Sequence, residues 1–108
     1  EDIDYIVRKL IGLRVFEDEN AVMNLSIKDI NGSILSISQF TLYASTKDGN
    51  RPSYINSLNK DQAIILYEQF NNKLKEHINV ETGIFKADMK VTINNDGPVT
   101  IMIDSKDK

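Results

Sequence analysis

"SILSISQFTLYAS", residues 33–45, has the clearest strand pattern in this 108-residue chain. Leu35 and Ile37 fall on one face of an extended backbone, with Ile34, Phe40 and Leu42 on the other. Gly32 breaks the chain just before it, and the polar stretch "STKDGNRPSYIN", residues 45–56, reads as a loop just after it. Branched and aromatic residues between such breaks mark a β-strand. A strand here separates an α+β domain from a helical bundle, because a helical pattern stands on each side.

On the N-terminal side, Ile3, Ile6, Val7, Leu10 and Ile11 recur at helical spacing from Asp2 to Leu13. Asp2 and Asp4 sit where the positive end of a helix dipole favours acid. Short strands are expected at 13–16 and 23–27, with a polar turn at 17–20. On the C-terminal side, Asn59 and Gln62 make a capping box. Ala63, Leu66, Phe70 and Leu74 then mark one helix face as far as His77, with Ile65 beside it. Thr82-Gly83 turns the chain. Met89, Val91 and Ile93, and then Val99, Ile101 and Ile103, alternate with polar residues around "NNDGPVT", residues 94–100. That pattern predicts a closing hairpin. The order of helix, strands, helix and hairpin gives a single α+β domain over 1–108. The polar tail "DSKDK" is expected to fray.

Bulk composition narrows the functional classes. Hydrophobic residues make up 41% and charged residues 27%, which supports a core and argues against default disorder. A net charge of −3 is the wrong sign for coating duplex phosphates, although a pocket reading only an RNA tip remains compatible with it. With no cysteine, thiolate catalysis, thiolate metal sites and disulfides are excluded. No apolar run reaches membrane-spanning length. The cytoplasm is the default location.

The ordinary catalytic inventory is thin. His77, the single histidine, fits the negative end of a helix dipole better than a triad or metal role, since no partners stand at useful spacing. The acidic residues are scattered, and no pair such as Asp88 and Asp96 is assignable to acid–base work. Without a side-chain base, an enzyme here would act on an already labile bond through positioning and backbone donors. Ser38, Gln39 and Thr41 bring polar side chains into the main strand. They read either as its solvent face or as the end of a strand lining a polar pocket. Pro98 directly follows Gly97 where the returning strand of the hairpin should begin, although proline donates no hydrogen bond. It serves either as a stop in a loop or as part of a unit that presents its backbone to a ligand.

"SQFT", Ser38 to Thr41, followed by "NDGPVT", Asn95 to Thr100, resembles the D-aminoacyl-tRNA deacylase family, which carries Ser-Gln-x-Thr and Asn-x-Gly-Pro-x-Thr motifs. "LRVFED" at 13–18, "MNLS" at 23–26, "RPS" at 51–53 and "TGIFKADM" at 82–89 extend the resemblance along nearly the whole chain. It implies a barrel-like, mostly antiparallel α+β fold and an RNA-binding hydrolase of translation quality control. The implied reaction cleaves D-aminoacyl-tRNA, or glycyl-tRNA mischarged on tRNA(Ala), with no cofactor and no metal. It further implies a homodimer in which a cis Gly97-Pro98 loop enters the other subunit's site and excludes L side chains.

Carried over residue by residue, Ser38, Gln39, Phe40 and Thr41 would surround the ester, with backbone N–H groups for the oxyanion. Asn95, Gly97, Pro98 and Thr100 would form the substrate-facing loop, and Phe85 and Met89 would hold the 3′-terminal adenine. The spacing of four between Phe85 and Met89 would equally suit core packing. Either Thr41 is the nucleophile or the ribose 2′-OH helps to activate water. Family members begin with additional strands, so the chain is expected to be an N-terminally truncated fragment. Two other readings stand beside this one. One is a non-catalytic tRNA-end or protein-binding domain of the same fold. The other is a related deacylase of different stereochemical preference.

Overall fold

In the computed structural model, which describes residues 1–108, helix α1 spans Asp2–Gly12. Its apolar residues share one face, as the spacing requires. Val7 is buried, and Ile3, Leu10 and Ile11 pack around it. Leu13 then adopts an extended conformation while its N–H still donates to the Lys9 carbonyl. Strands β1 (Phe16–Glu17) and β2 (Met23–Leu25) form a small antiparallel ribbon. Asp18 shapes the turn between them, accepting from the backbone N–H groups of Asn20 and Val22. Those two bonds, the Val22 one first, hold its carboxyl below the usual carboxylate range.

Strand β3 covers Ser33–Ser36, and a short 3-10 turn covers Phe40–Tyr43. The expected strand over 33–45 is thus correct only in its first third. Two local reasons end it. The only ladder partner of β3 stops at the same level, and the side chain of Gln39 donates to the Thr41 hydroxyl. Such short-range side-chain bonds compete with sheet pairing. The polar loop that follows is pinned at its base, where Ser45 and Ser53 exchange both backbone hydrogen bonds at 2.9 and 2.8 Å.

Helix α2 spans Lys60–Lys75. Asn59 caps it as the sequence predicts: its Oδ1 accepts from the Gln62 N–H at 3.0 Å. The Gln62 side chain reaches back to Asn59 Nδ2 at 3.1 Å, instead of to the backbone. Strand β4, Asn79–Thr82, pairs with β3 in parallel, Ser33 opposite Asn79 through Ser36 opposite Thr82. Parallel neighbours need a long crossover, and α2 supplies it. Val7, Leu74 and Val80 form the core where α1, α2 and β4 meet, flanked by Ile34, Phe70 and Ile78.

The α+β class stands, with the sheet in two separate two-stranded pieces. The expected hairpin around residues 94–100 is present as a turn without strands: residues 87–104 pair with no ladder. Asn95 organises that turn. Its Oδ1 accepts from Val99 N–H at 3.3 Å and its Nδ2 donates to Thr100 Oγ1 at 3.0 Å. Gly97 lies at φ 127°, where a side chain would be strained, and the Gly97–Pro98 peptide is cis. The tail is tethered rather than frayed: Lys106 pairs with Asp2 at 3.3 Å, and the Lys108 ammonium lies 4.9 Å from the Tyr5 ring centroid.

Candidate active site

Because β3 and β4 run in parallel, their C-terminal ends lie side by side, and the Gly83 N–H extends the ladder by donating to the Ser36 carbonyl at 3.3 Å. The chain leaves both strands toward the same side. Loops at the carboxyl ends of parallel strands are where open α/β sheets bind ligands. A cavity of about 420 Å³ opens here. Ser38, Gln39 and Phe40 form one wall. Phe85 through Met89, with Val91, form the other.

Each wall is held from behind. The Tyr67 hydroxyl on α2 donates to the Ser36 carbonyl at 2.7 Å, fastening the end of β3 to the helix. The Tyr67 ring lies 5.8 Å from that of Phe85, so one side chain braces both walls. Phe40 meets Tyr54 edge to face, with ring centroids 5.0 Å apart. Gly83 leaves room for Met89: a Cβ at position 83 would come within 2.9 Å of Met89 Sδ. The Ala87 N–H donates to the Ile84 carbonyl at 3.1 Å, closing a turn in which Lys86 takes a left-handed conformation, φ 60°.

Of the residues singled out by sequence, the fold brings Ser38, Gln39, Phe40, Phe85 and Met89 around one cavity. Thr41 is exposed and outside the lining, although its hydroxyl accepts from the Gln39 side chain. Asn95, Gly97, Pro98 and Thr100 are exposed and do not line this cavity. His77 lies beyond the end of α2, in a groove shared with Asp4 and Lys73, and takes no part in the site. Lys86 and Asp88, the two charged lining residues, carried no site assignment from the sequence. Their place inside "TGIFKADM" was the available signal.

The chemistry available is polar positioning. No cluster of His, Cys, Asp or Glu is arranged to hold a metal ion. Leu42 and Ala44 donate back to the carbonyls of Gln39 and Thr41, whereas the N–H groups of Phe40 and Thr41 at the start of the turn have no backbone acceptor. They stand beside the Ser38–Phe40 wall and are free to donate.

The family model described as D-Tyr-tRNA(Tyr) deacylase matches residues 1–104. A D-aminoacyl-tRNA deacylase from Flavobacterium psychrophilum is 59% identical over 110 residues, spanning all of this chain and 73% of that relative. A solved structure named c-Myc DNA Unwinding Element Binding Protein superposes with a TM-score of 0.85 at 39% identity, covering 92% of this chain and 68% of its own. The motif pair, the α+β fold and these matches agree along almost the full length: the chain belongs to the D-Tyr-tRNA(Tyr) deacylase family.

Proposed function

We propose that this protein hydrolyses the ester joining a D-amino acid to the 3′ end of tRNA, releasing the free D-amino acid and tRNA as a proofreading step in translation. The observation that carries this reading is the cavity at the ends of β3 and β4, whose two walls are "SQF" and the "FKADM" stretch of a deacylase-family chain. Ser38, Gln39 and Phe40 surround the ester. Water adds to the ester carbonyl, and the oxyanion receives hydrogen bonds from the N–H groups of Phe40 and Thr41, worth the most where water is excluded. Collapse of the tetrahedral intermediate expels the ribose oxygen, which takes up a proton, and leaves the amino-acid carboxylate. No histidine lines the cavity, so the neighbouring 2′-OH of the substrate assists the attacking water. Phe85 and Met89 hold the terminal adenine. No cofactor or metal enters the reaction.

The site is completed by a second copy. Asn95, Gly97, Pro98 and Thr100 form a loop that serves the partner's cavity in a homodimer and fills the space an L side chain would need. Glycine misacylated on tRNA(Ala) passes the same filter, because it has no side chain to exclude. The enzyme works in the cytoplasm, where aminoacyl-tRNA is used. The name of the solved neighbour raises DNA as a ligand, but a net charge of −3 gives this chain no general attraction for duplex phosphates.

The test is deacylation of a matched D- and L-aminoacyl pair on one tRNA. Rapid loss of the D ester with the L ester spared is expected. Equal rates would sink the chiral filter, preference for the L ester would favour an editing enzyme of other stereochemistry, and binding without turnover would favour a non-catalytic tRNA-end domain.

A further inference from the structure

Lys86 is the one cation lining the cavity. Neither salt bridge of the chain uses it. Its ammonium instead lies 5.2 Å from the centroid of the Phe40 ring, reaching from one wall to the other. A left-handed turn position, which a lysine rarely occupies, directs it there. Phe40, Phe85 and Lys86 also line an adjoining hollow of about 240 Å³, so the lysine stands on the ridge between two depressions. Asp88, the other charged lining residue, is an anion, and the chain as a whole is acidic. An RNA end approaching this site therefore meets one positive charge within the lining, exposed and placed over an aromatic face.

We propose that Lys86 binds the phosphodiester on the 5′ side of the terminal nucleoside of the substrate, seating the RNA end on the ridge while the aminoacyl group enters the larger cavity. This rests on the deacylase reading and adds to it a substrate-binding residue. The ammonium is a point charge with three donors, suited to a phosphate oxygen. It makes no contact with the ester, so its effect belongs in substrate binding rather than in the rate of the bound complex.

The experiment compares D-aminoacyl-tRNA with D-aminoacyl-adenosine, which has the same ester and base but no phosphate, using wild type, K86A and K86R. With the tRNA ester, K86A is expected to raise KM several-fold with kcat little changed, and K86R to recover most of the loss. The slope of log(kcat/KM) against log[salt] should become shallower by about 0.7, the value for one single-stranded phosphate contact. With the adenosine ester, the K86A to wild-type KM ratio should be close to one. An unchanged KM on tRNA, or an equal rise on both esters, overturns the phosphate contact. Wild type that hydrolyses neither D ester removes the deacylase reading, and this inference with it. As a control for folding, K86G should melt no lower than wild type, since glycine suits the left-handed position.

Discussion

Thr41 shows how the side chain of a motif residue can matter without attacking the substrate. Its hydroxyl is engaged by the Gln39 side chain, it is exposed, and it lies outside the cavity lining. A nucleophile needs the opposite surroundings: a clear approach to the ester and a base within hydrogen-bond reach. The only group within that reach is an amide, which cannot accept its proton. The hydroxyl instead orients Gln39, which does line the cavity. Thr41→Ala should therefore keep kcat/KM within about tenfold of wild type, a loss of no more than ~1.4 kcal/mol in transition-state stabilisation. A substrate ending in 2′-deoxyadenosine should be cleaved far more slowly than its ribose counterpart. Rapid-quench mass spectrometry should find no aminoacyl ester on the protein; an adduct at Thr41 would reverse the assignment.

The parallel pair of β3 and β4 positions the site, and its legibility in the sequence was uneven. Helix α2 was readable because its cap and apolar face are local, as Asn59 and Gln62 show by meeting in space. Strand β4 was missed. It is four residues long with a single buried position, Val80, and its partner lies 46 residues earlier. Nothing local marks a strand stabilised that way. Strand β3 was read too long because "SQFTLY" has strand-like residues whose turn is set by one side-chain bond and by the end of the ladder. The Ser38–Phe40 wall was legible from its motif, and Phe85 and Met89 from the resemblance, whereas Lys86 in the same stretch drew no assignment, since its left-handed backbone belongs to the turn and not to lysine. Tyr67 ties these elements together. Tyr67→Phe keeps the ring against Phe85 and removes only the bond to the buried Ser36 carbonyl. The expected cost is about 1 kcal/mol, seen as a melting temperature lower by ~5 °C. The exposed Lys73–Asp4 pair between the helices is different. It lowers the Asp4 carboxyl and raises the Lys73 ammonium from their usual ranges, but solvent screening leaves it little to contribute.

Taken whole, the chain packs few residues on their own account. Five of 108 are buried, while Leu42, Ile93 and Met102 are 86%, 77% and 91% exposed, and such surface is rarely left to water in a folded protein. The loop at residues 95–100 adds a second consideration. Asn95 holds it in one shape with two hydrogen bonds, yet it does not line the cavity of its own chain. An ordered, exposed loop next to uncovered apolar residues fits a site shared between two copies. In a two-fold dimer, each copy would lend its loop to the other's cavity. The loop and the cavity can then be damaged separately. Asn95→Ala removes both bonds that shape the loop, and Gln39→Ala alters the cavity wall. Each variant alone should be strongly impaired. When the two are mixed at equal concentration under exchange, half of the dimers are hybrids. In each hybrid, one site pairs an intact cavity with an intact loop, so about a quarter of wild-type activity should return. If each chain used its own loop, every site in the mixture would carry one defect and mixing would restore nothing. Tagged copies purified as hybrids make the comparison direct: a hybrid no more active than its parents would place loop and cavity in the same subunit.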